Sequence, residues 1–448
     1  MIIKSRTRKA LLSFFIAIFV IIGAYLALKM QGIVIDTEHL RLAKAGGLYF
    51  HFTPRDATLS LNGRERAERG GFLSHDIFID GLAPNTYITA LTREGYGEWH
   101  KELTVKPGQV TSANHVVLWP QSILKELIAT STDAFWTTAQ GPLTQHNTKI
   151  SITNKTLQGT EVIAHAANSE LIVTRDRNAF YFIDLDTPST PLNITRLFLS
   201  LKEHQSTTST SAVIQNIFFH PFNSTKLILV TKTSLYLLDT RKNELEQLFT
   251  TKNILTYATT NSGIVVIDNA GNGTVINLIV HTTTSYPHIV ASPTRIALNS
   301  NGSYLMSLDT QNTLSLFDIN TNTTTSLARN VEFFSFSPDT TRAVFITKDH
   351  MLSLIYLEEY EGDIVHKKGE IETMKIEETA NFPTFTWIPS APNYFFIQAG
   401  SNLLVEEFDI RPPRNRYTIE KNVTSFALSG PLFILHEDGT LTRTILEN

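Results

Sequence analysis

An aspartate recurs at one place in a repeated pattern. It follows the last apolar residue of a strand-like run, as Asp184 in FYFID, Asp239 in LYLLD, Asp318 in LSLFD and Asp409 in EEFD. Carboxylates that converge on one axis can hold a hard cation, and a pair flanking a glycosidic bond can hydrolyse it. An aspartate that closes a strand also accepts hydrogen bonds from the turn that follows. Each of these residues ends the third strand of its unit, toward the outside of a radial array, where carboxylates do not meet. Leu278 and Tyr356 hold the same position in two other units. The turn role is therefore expected, and no catalytic residue is assigned. The 14 histidines show no HxxxH or HExxH spacing, so no metal site is expected. With no cysteine there is no thiolate nucleophile, thiolate ligand or disulfide. No GxSxG elbow occurs, and NAGNGT at 269–274 lacks the lysine of a phosphate loop, so no cofactor is expected.

The elements that position these aspartates repeat at roughly 40-residue intervals from about residue 122 to the end. Each unit is an apolar strand, a turn rich in Pro, Asn or Gly, a second strongly apolar strand, another turn and a third, alternating strand. The second strands are read at DAFWTT, ELIVTR, KLILVT, GIVVID, YLMSLD, AVFITK, YFFIQA and PLFILH. Evenly spaced short strands of this kind describe a β-propeller, in which radial repetition protects the sheet edges. Eight blades over 122–448 are expected, with seven as the alternative. The last unit stops after its third strand, so its outer strand is expected from near Ser122-Ile123-Leu124, closing the ring. The polar insertions LKEHQSTTSTS and EEYEGDIVHKKGEIETMKIEET are expected to be outer strands or surface loops. The units resemble bacterial tryptophan-aspartate-repeat-like propellers, most of all in FSFSPDTTRAVFIT, although the Gly-His and Trp-Asp pairs of that family are missing.

The N-terminus has a different character. Lys4, Arg6, Arg8 and Lys9 precede ALLSFFIAIFVIIGAYLAL, residues 10–28, which contains no charge. Nineteen residues at a 1.5 Å rise span roughly 28 Å, about the thickness of a bilayer's hydrocarbon core. A transmembrane anchor over 10–29 is expected. The basic cluster would keep the stub 1–9 in the cytoplasm and place everything beyond Lys29 outside. The rival is a cleaved signal peptide, but the nearest small-x-small site, Ala43-Lys44-Ala45, lies far beyond the apolar core.

After a linker at 30–45, the segment 46–119 holds six or seven strand-sized runs: LYFHF, ATLSL, DIFID, TYITALT, KELTV and NHVVLW, broken by TP, NG, GLAPN, EGYGE and KPGQ. This reads as a small β-sandwich, with Leu59, Leu61, Ile77, Ile79, Tyr87, Leu91, Leu103 and Val105 on the core face by alternation. The segment resembles the PEGA domain family of bacterial and archaeal envelope proteins. Thr53-Pro54-Arg55-Asp56-Ala57 sits where that family has its Pro-Glu-Gly-Ala turn, and GLAPNTYITALTREGYGEW and VKPGQVTSANHVVL match further turns in order. Arg55-Asp56 replaces Glu-Gly and Asn85 replaces a Gly, which preserves turn chemistry but not any role of the motif's Glu. The resemblance implies a non-catalytic module beside a membrane anchor, in contact with the cell envelope. Tyr96 and Trp99 of EGYGEW are the candidate sugar-stacking aromatics, against a packing role for both.

A chain of 448 residues with 42% hydrophobic and 18% charged residues and a net charge of -4 carries no basic stripe, so no nucleic-acid partner is expected. The sequence thus describes a mainly β, membrane-anchored extracytoplasmic binding or scaffold protein that presents a propeller to a protein or cell-wall glycan partner. Two alternatives are a polysaccharide-acting enzyme with its site in the channel and an envelope sensor that works with a membrane partner. The first strands are almost free of the Asp and Glu that the enzyme would need, and a nine-residue stub is too short for a signalling output domain.

Overall fold

The computed structural model describes residues 5–36, 41–66, 76–153, 155–166, 169–205, 213–260, 263–280, 282–287, 289, 293–376 and 384–445. The stub residues 1–4 and most of the first polar insertion lie outside them. The apolar run forms helix α1, Ser5–Met30. Its stretch Leu11–Met30 has a mean hydropathy of 2.7 with none of it buried, long and apolar enough to cross a membrane. The segment read as a linker contains an antiparallel pair, Ile33–Asp36 with Arg41–Lys44. Ala45 N–H donates to the Gly32 carbonyl at 2.7 Å, so the start of the following module lies against the end of α1.

That module consists of two sheets around one core. In the first, Gly46–Thr53 runs antiparallel to Asp76–Leu82 and parallel to Val110–Val117. The second has the order Arg64–Glu65, Thr58–Leu61, Thr86–Thr92, Trp99–Thr104. The shared core contains Leu59, Leu61, Ile77, Ile79, Leu91, Leu103 and Val105 as alternation requires, with Tyr87 half-buried beside them. The turn at Pro54–Ala57 carries the chain from one sheet to the other, and its Asp56 pairs with Arg93 at 3.1 Å. Asn62 and Gly63 have φ of 50° and 73°, the left-handed pair of a two-residue hairpin that only Gly and Asn adopt readily.

From 126 onward the described residues form eight four-stranded antiparallel sheets. Seven follow one another along the chain, within 134–156, 161–193, 214–250, 254–286, 293–328, 331–375 and 385–420. The eighth joins Val423–Leu428, Leu432–His436 and Leu441–Thr444 to Glu126–Ala129, so both ends of the region share one sheet. The closing strand is thus a few residues beyond Ser122-Ile123-Leu124. A separate apolar core lies between each sheet and the next, and the last packs on the first through Phe433, Leu435, Ile128 and Phe135. This cyclic arrangement is that of a β-propeller.

It also explains the sequence pattern. A second strand has a neighbouring sheet against both faces, so most residues along it are apolar. Leu227 to Val230 are at most 1% exposed, as are Ile264 to Ile267. Fourth strands face solvent and are polar, as in TTTSY and TTTSLA.

Two expectations are corrected. Ala134–Thr138 in DAFWTT is the first strand of its sheet; the second is Gly141–His146, which is less apolar. The first insertion does not supply a full outer strand. Its described part, 201–205, is the end of helix α2, Ile194–Gln205, which follows the two-residue outer strand Leu192–Asn193. The Asn193 side chain caps this helix by accepting from Arg196 N–H at 2.9 Å. Ile194, Leu197, Phe198 and Leu201, at helical spacing, pack into the core between the second and third sheets. In the second insertion Ile371–Lys375 is the outer strand of the sixth sheet, as expected, and Tyr360–Glu361 and Val365–His366 pair in front of it.

Candidate functional site

The recurrent aspartates cap turns. Asp239 Oδ1 accepts from the backbone N–H groups of Arg241 and Lys242, both at 3.0 Å. Asp318 Oδ1 accepts from Asn320 at 3.0 Å and Thr321 at 3.3 Å, and its Oδ2 from Lys368 Nζ at 3.3 Å. Asp184 accepts from Asp186 N–H, and Asp409 from Arg411 N–H. Burial alone would raise the carboxyl pKa of Asp239 and Asp318. The donated N–H groups and nearby lysines outweigh it, and both lie below the ordinary aspartate value. The four do not converge. Asp184 instead meets Glu170 and Asp186, whose carboxylate oxygens lie within 4.8 Å of one another. Gln140 Nε2 donates to Glu170 and Asp186 at 2.7 Å each, so this is a hydrogen-bonded surface cluster.

Neither EGYGEW aromatic is placed to stack on a sugar. Trp99 is 0% exposed in the core of the two-sheet module, and its indole N–H donates to Glu407 at 3.1 Å. Tyr96 is half-buried against the same core, with the Arg93 guanidinium 4.4 Å above its ring.

Trp99 leads to the contact that joins the two modules. In the strand WHKELT, alternation puts Lys101 on the same buried side as Trp99 and Leu103, and it is 0% exposed. Its Nζ donates to Glu407 Oε2 at 2.8 Å and to the carbonyls of Asp409, Arg411 and Pro413 at 3.0, 2.9 and 3.3 Å. Glu407 also accepts from Asn415 Nδ2 at 2.8 Å, and Asn415 exchanges hydrogen bonds with the His100 backbone. Burial pushes the Glu407 carboxyl upward and the Lys101 ammonium draws it down, with a net rise. Around this centre Arg411 donates to Ser112 O at 2.9 Å and pairs with Asp363, which accepts from Asn114 N–H at 2.6 Å. Gly97 lies against the Tyr417 ring, where an added Cβ would come within 2.4 Å of Tyr417 Cδ1. The sequence does not announce this joint. Its one local signal is a lysine at a core-facing position of an alternating strand.

A cleft of about 680 Å³ opens where the first strands of the second to fifth sheets end. First strands of successive sheets approach one another on the inner side of the ring. The lining includes His165 and Ala166 from the second sheet, Phe218 to Ser224 from the third, Thr259, Thr260 and Gly263 from the fourth and Leu298 and Ser300 from the fifth. None of the described lining residues is Asp, Glu, Lys or Arg. Burial lowers the His165 pKa, which keeps the imidazole neutral at pH 7. His220 Nδ1 accepts from Phe222 N–H at 3.2 Å. Phe218 stacks on Tyr257 at 5.7 Å, and Phe222, 60% exposed, meets the His220 ring edge-on at 6.0 Å.

The fold thus defines a β-propeller joined to a smaller two-sheet module and an N-terminal apolar helix. No family model and no curated protein matches the chain. Among solved structures it is similar to Kluyveromyces lactis Hsv2, at 10% identity and a TM-score of 0.44 over 65% of this chain and 100% of that one. It is also similar to a chain of the mitotic checkpoint complex, at 10% identity and a TM-score of 0.43 over 73% of this chain and 93% of that one.

Proposed function

We propose that the chain is a single-pass, membrane-anchored binding protein of the cell envelope. In this reading Leu11–Met30 spans the bilayer with the basic stub on the cytoplasmic side. The PEGA-like sandwich and an eight-bladed propeller lie outside and present a broad face to a protein or glycan partner. The observation that carries the reading is the joint at Lys101. A fully buried ammonium bonded to a buried carboxylate and three carbonyls fixes the propeller on the sandwich, and the sandwich begins where α1 ends. Such a chain holds a large, loop-rich surface at a set distance from a membrane and has no assembled catalytic group among its described residues.

The test is fractionation of the expressed chain with N-terminal sequencing and protease accessibility in intact cells. Retention in membranes after high salt and alkaline washing, with residues beyond 46 open to external protease, is expected. A mature N-terminus near Gly46, or a soluble chain, overturns the anchor. A pull-down from envelope extract, with bound protein and bound polymer analysed separately, then identifies the partner.

A further inference from the structure

The cleft at the ends of the first strands has a chemistry of its own. Four sheets contribute to it, and the described lining offers phenyl faces, hydroxyls, an amide and two imidazoles but no ionic side chain. A charged ligand entering it would lose hydration and find no counter-charge, which is costly. A purely apolar ligand would take water from the hydroxyls of Thr259, Ser224 and Ser300 and offer them nothing in return. A sugar ring without ionic groups satisfies both constraints. Its C–H face rests on an aromatic ring, whose face is electron-rich, while its hydroxyls donate and accept around the rim. The volume, about 680 Å³, is that of a small-molecule site.

Phe222 is placed to be the stacking residue. It is 60% exposed, and it stands at the cleft beside Asn223 and Ser224. The edge-on contact with His220 and the hydrogen bond from its own N–H to His220 Nδ1 fix its position relative to the turn.

We infer that this cleft binds uncharged sugar residues, a short neutral oligosaccharide or the end of a longer neutral glycan, with Phe222 as the stacking platform. The inference rests on the reading of the propeller as a binding platform and narrows it to one site and one ligand class. Trp99 and Tyr96 take no part, because neither presents a free face.

The test is calorimetric titration of the full chain in detergent micelles. The probes are trimers of β-linked glucose and of N-acetylglucosamine, a galacturonate trimer as the charged control and a short Leu/Phe-rich peptide as the apolar one. Saturable binding of at least one neutral trimer is expected, with no binding of galacturonate. Phe222→Ala should weaken it roughly tenfold, the scale of one lost aromatic contact. Thr259→Glu, which adds a carboxylate at the exposed rim, should weaken it as well, while Asp239→Asn should leave it unchanged. The inference is overturned if galacturonate binds as well as the neutral trimers, if only the peptide binds, if no probe binds, or if neutral binding survives Phe222→Ala intact. If no sugar binds but the Phe222→Ala chain still retains its envelope partner, the sugar inference falls while the platform reading stands.

Discussion

Replacing Lys101 by Met removes a charge that four acceptors share. The side chains have similar length, so the cavity term is small and the loss is electrostatic. It leaves the Glu407 carboxylate buried with Trp99 Nε1 and Asn415 Nδ2 as its remaining side-chain donors among the described residues, and the carbonyls of Asp409, Arg411 and Pro413 lose a donor. Breaking a buried ion pair from one side costs about 3–5 kcal/mol. At about 2.1 cal/mol/K of unfolding entropy per residue, a cooperative unit of roughly 400 residues shifts by about 1.2 °C per kcal/mol, so a fall of roughly 4–6 °C is expected by differential scanning calorimetry. Limited proteolysis should show new cuts within 408–415, the segment that wraps the ammonium. A second measurement separates charge loss from packing loss. Lys101→Met/Glu407→Leu removes the stranded carboxylate as well and should be more stable than Lys101→Met alone. The single variant should also depend on pH with a definite sign. The native pKa of Glu407 is already raised by burial, and without Lys101 it rises further. A carboxyl whose folded pKa exceeds its unfolded value of about 4.3 stabilises at low pH, and that stability is lost as the pH rises through the folded pKa. The variant should therefore be closer to the parent at pH 5 than at pH 8. A melting temperature within about 2 °C of the parent, with 408–415 still resistant to protease, would refute the role given to this lysine.

Four further outcomes are expected. Asp239→Asn and Asp318→Asn should each cost about 1–2 kcal/mol in chemical denaturation, since each removes a charged acceptor from two backbone donors. The Asp318 pKa is lowered in the fold, so its contribution is present above about pH 4 and disappears as the pH falls through the native pKa; Asp318→Asn should flatten that acid limb. Gly97→Leu should separate the modules, detected as two melting transitions in place of one, because a side chain there meets the Tyr417 ring. Proline at Leu127 should lower the melting temperature of the whole propeller, because Leu127 pairs with Thr442 in the strand that closes the ring.

The strands, turns and repeat of this chain are legible in its sequence because their causes are local. Continuous apolar runs such as KLILVT and GIVVID become second strands because packed sheets cover both of their faces, and that requirement is written at every position. The closing strand can be placed within a few residues, since a unit one strand short must borrow it from the other end of the region. Helix α2 escapes a strand-based reading because ITRLFLSL is short and follows a strand in phase; its Asn193 cap and the spacing of Ile194, Leu197, Phe198 and Leu201 are readable, but the strand repeat dominates. DAFWTT misleads for a related reason, as an apolar first strand at the seam of the ring looks like a second one.

Alternation and turn chemistry in the sequence determined the turn role of the aspartates, the core of the small sandwich and the bilayer-length helix. Only the tertiary structure decided that Trp99 is buried, that Lys101 joins two modules, and that a cleft with no Asp, Glu, Lys or Arg among its described lining residues lies across four sheets. Lys101 and Glu407 are 306 residues apart in the chain. Local periodicity can say that a lysine faces inward, but the carboxylate and carbonyls that make its burial tolerable are brought there only when the ring closes and the seventh sheet meets the sandwich.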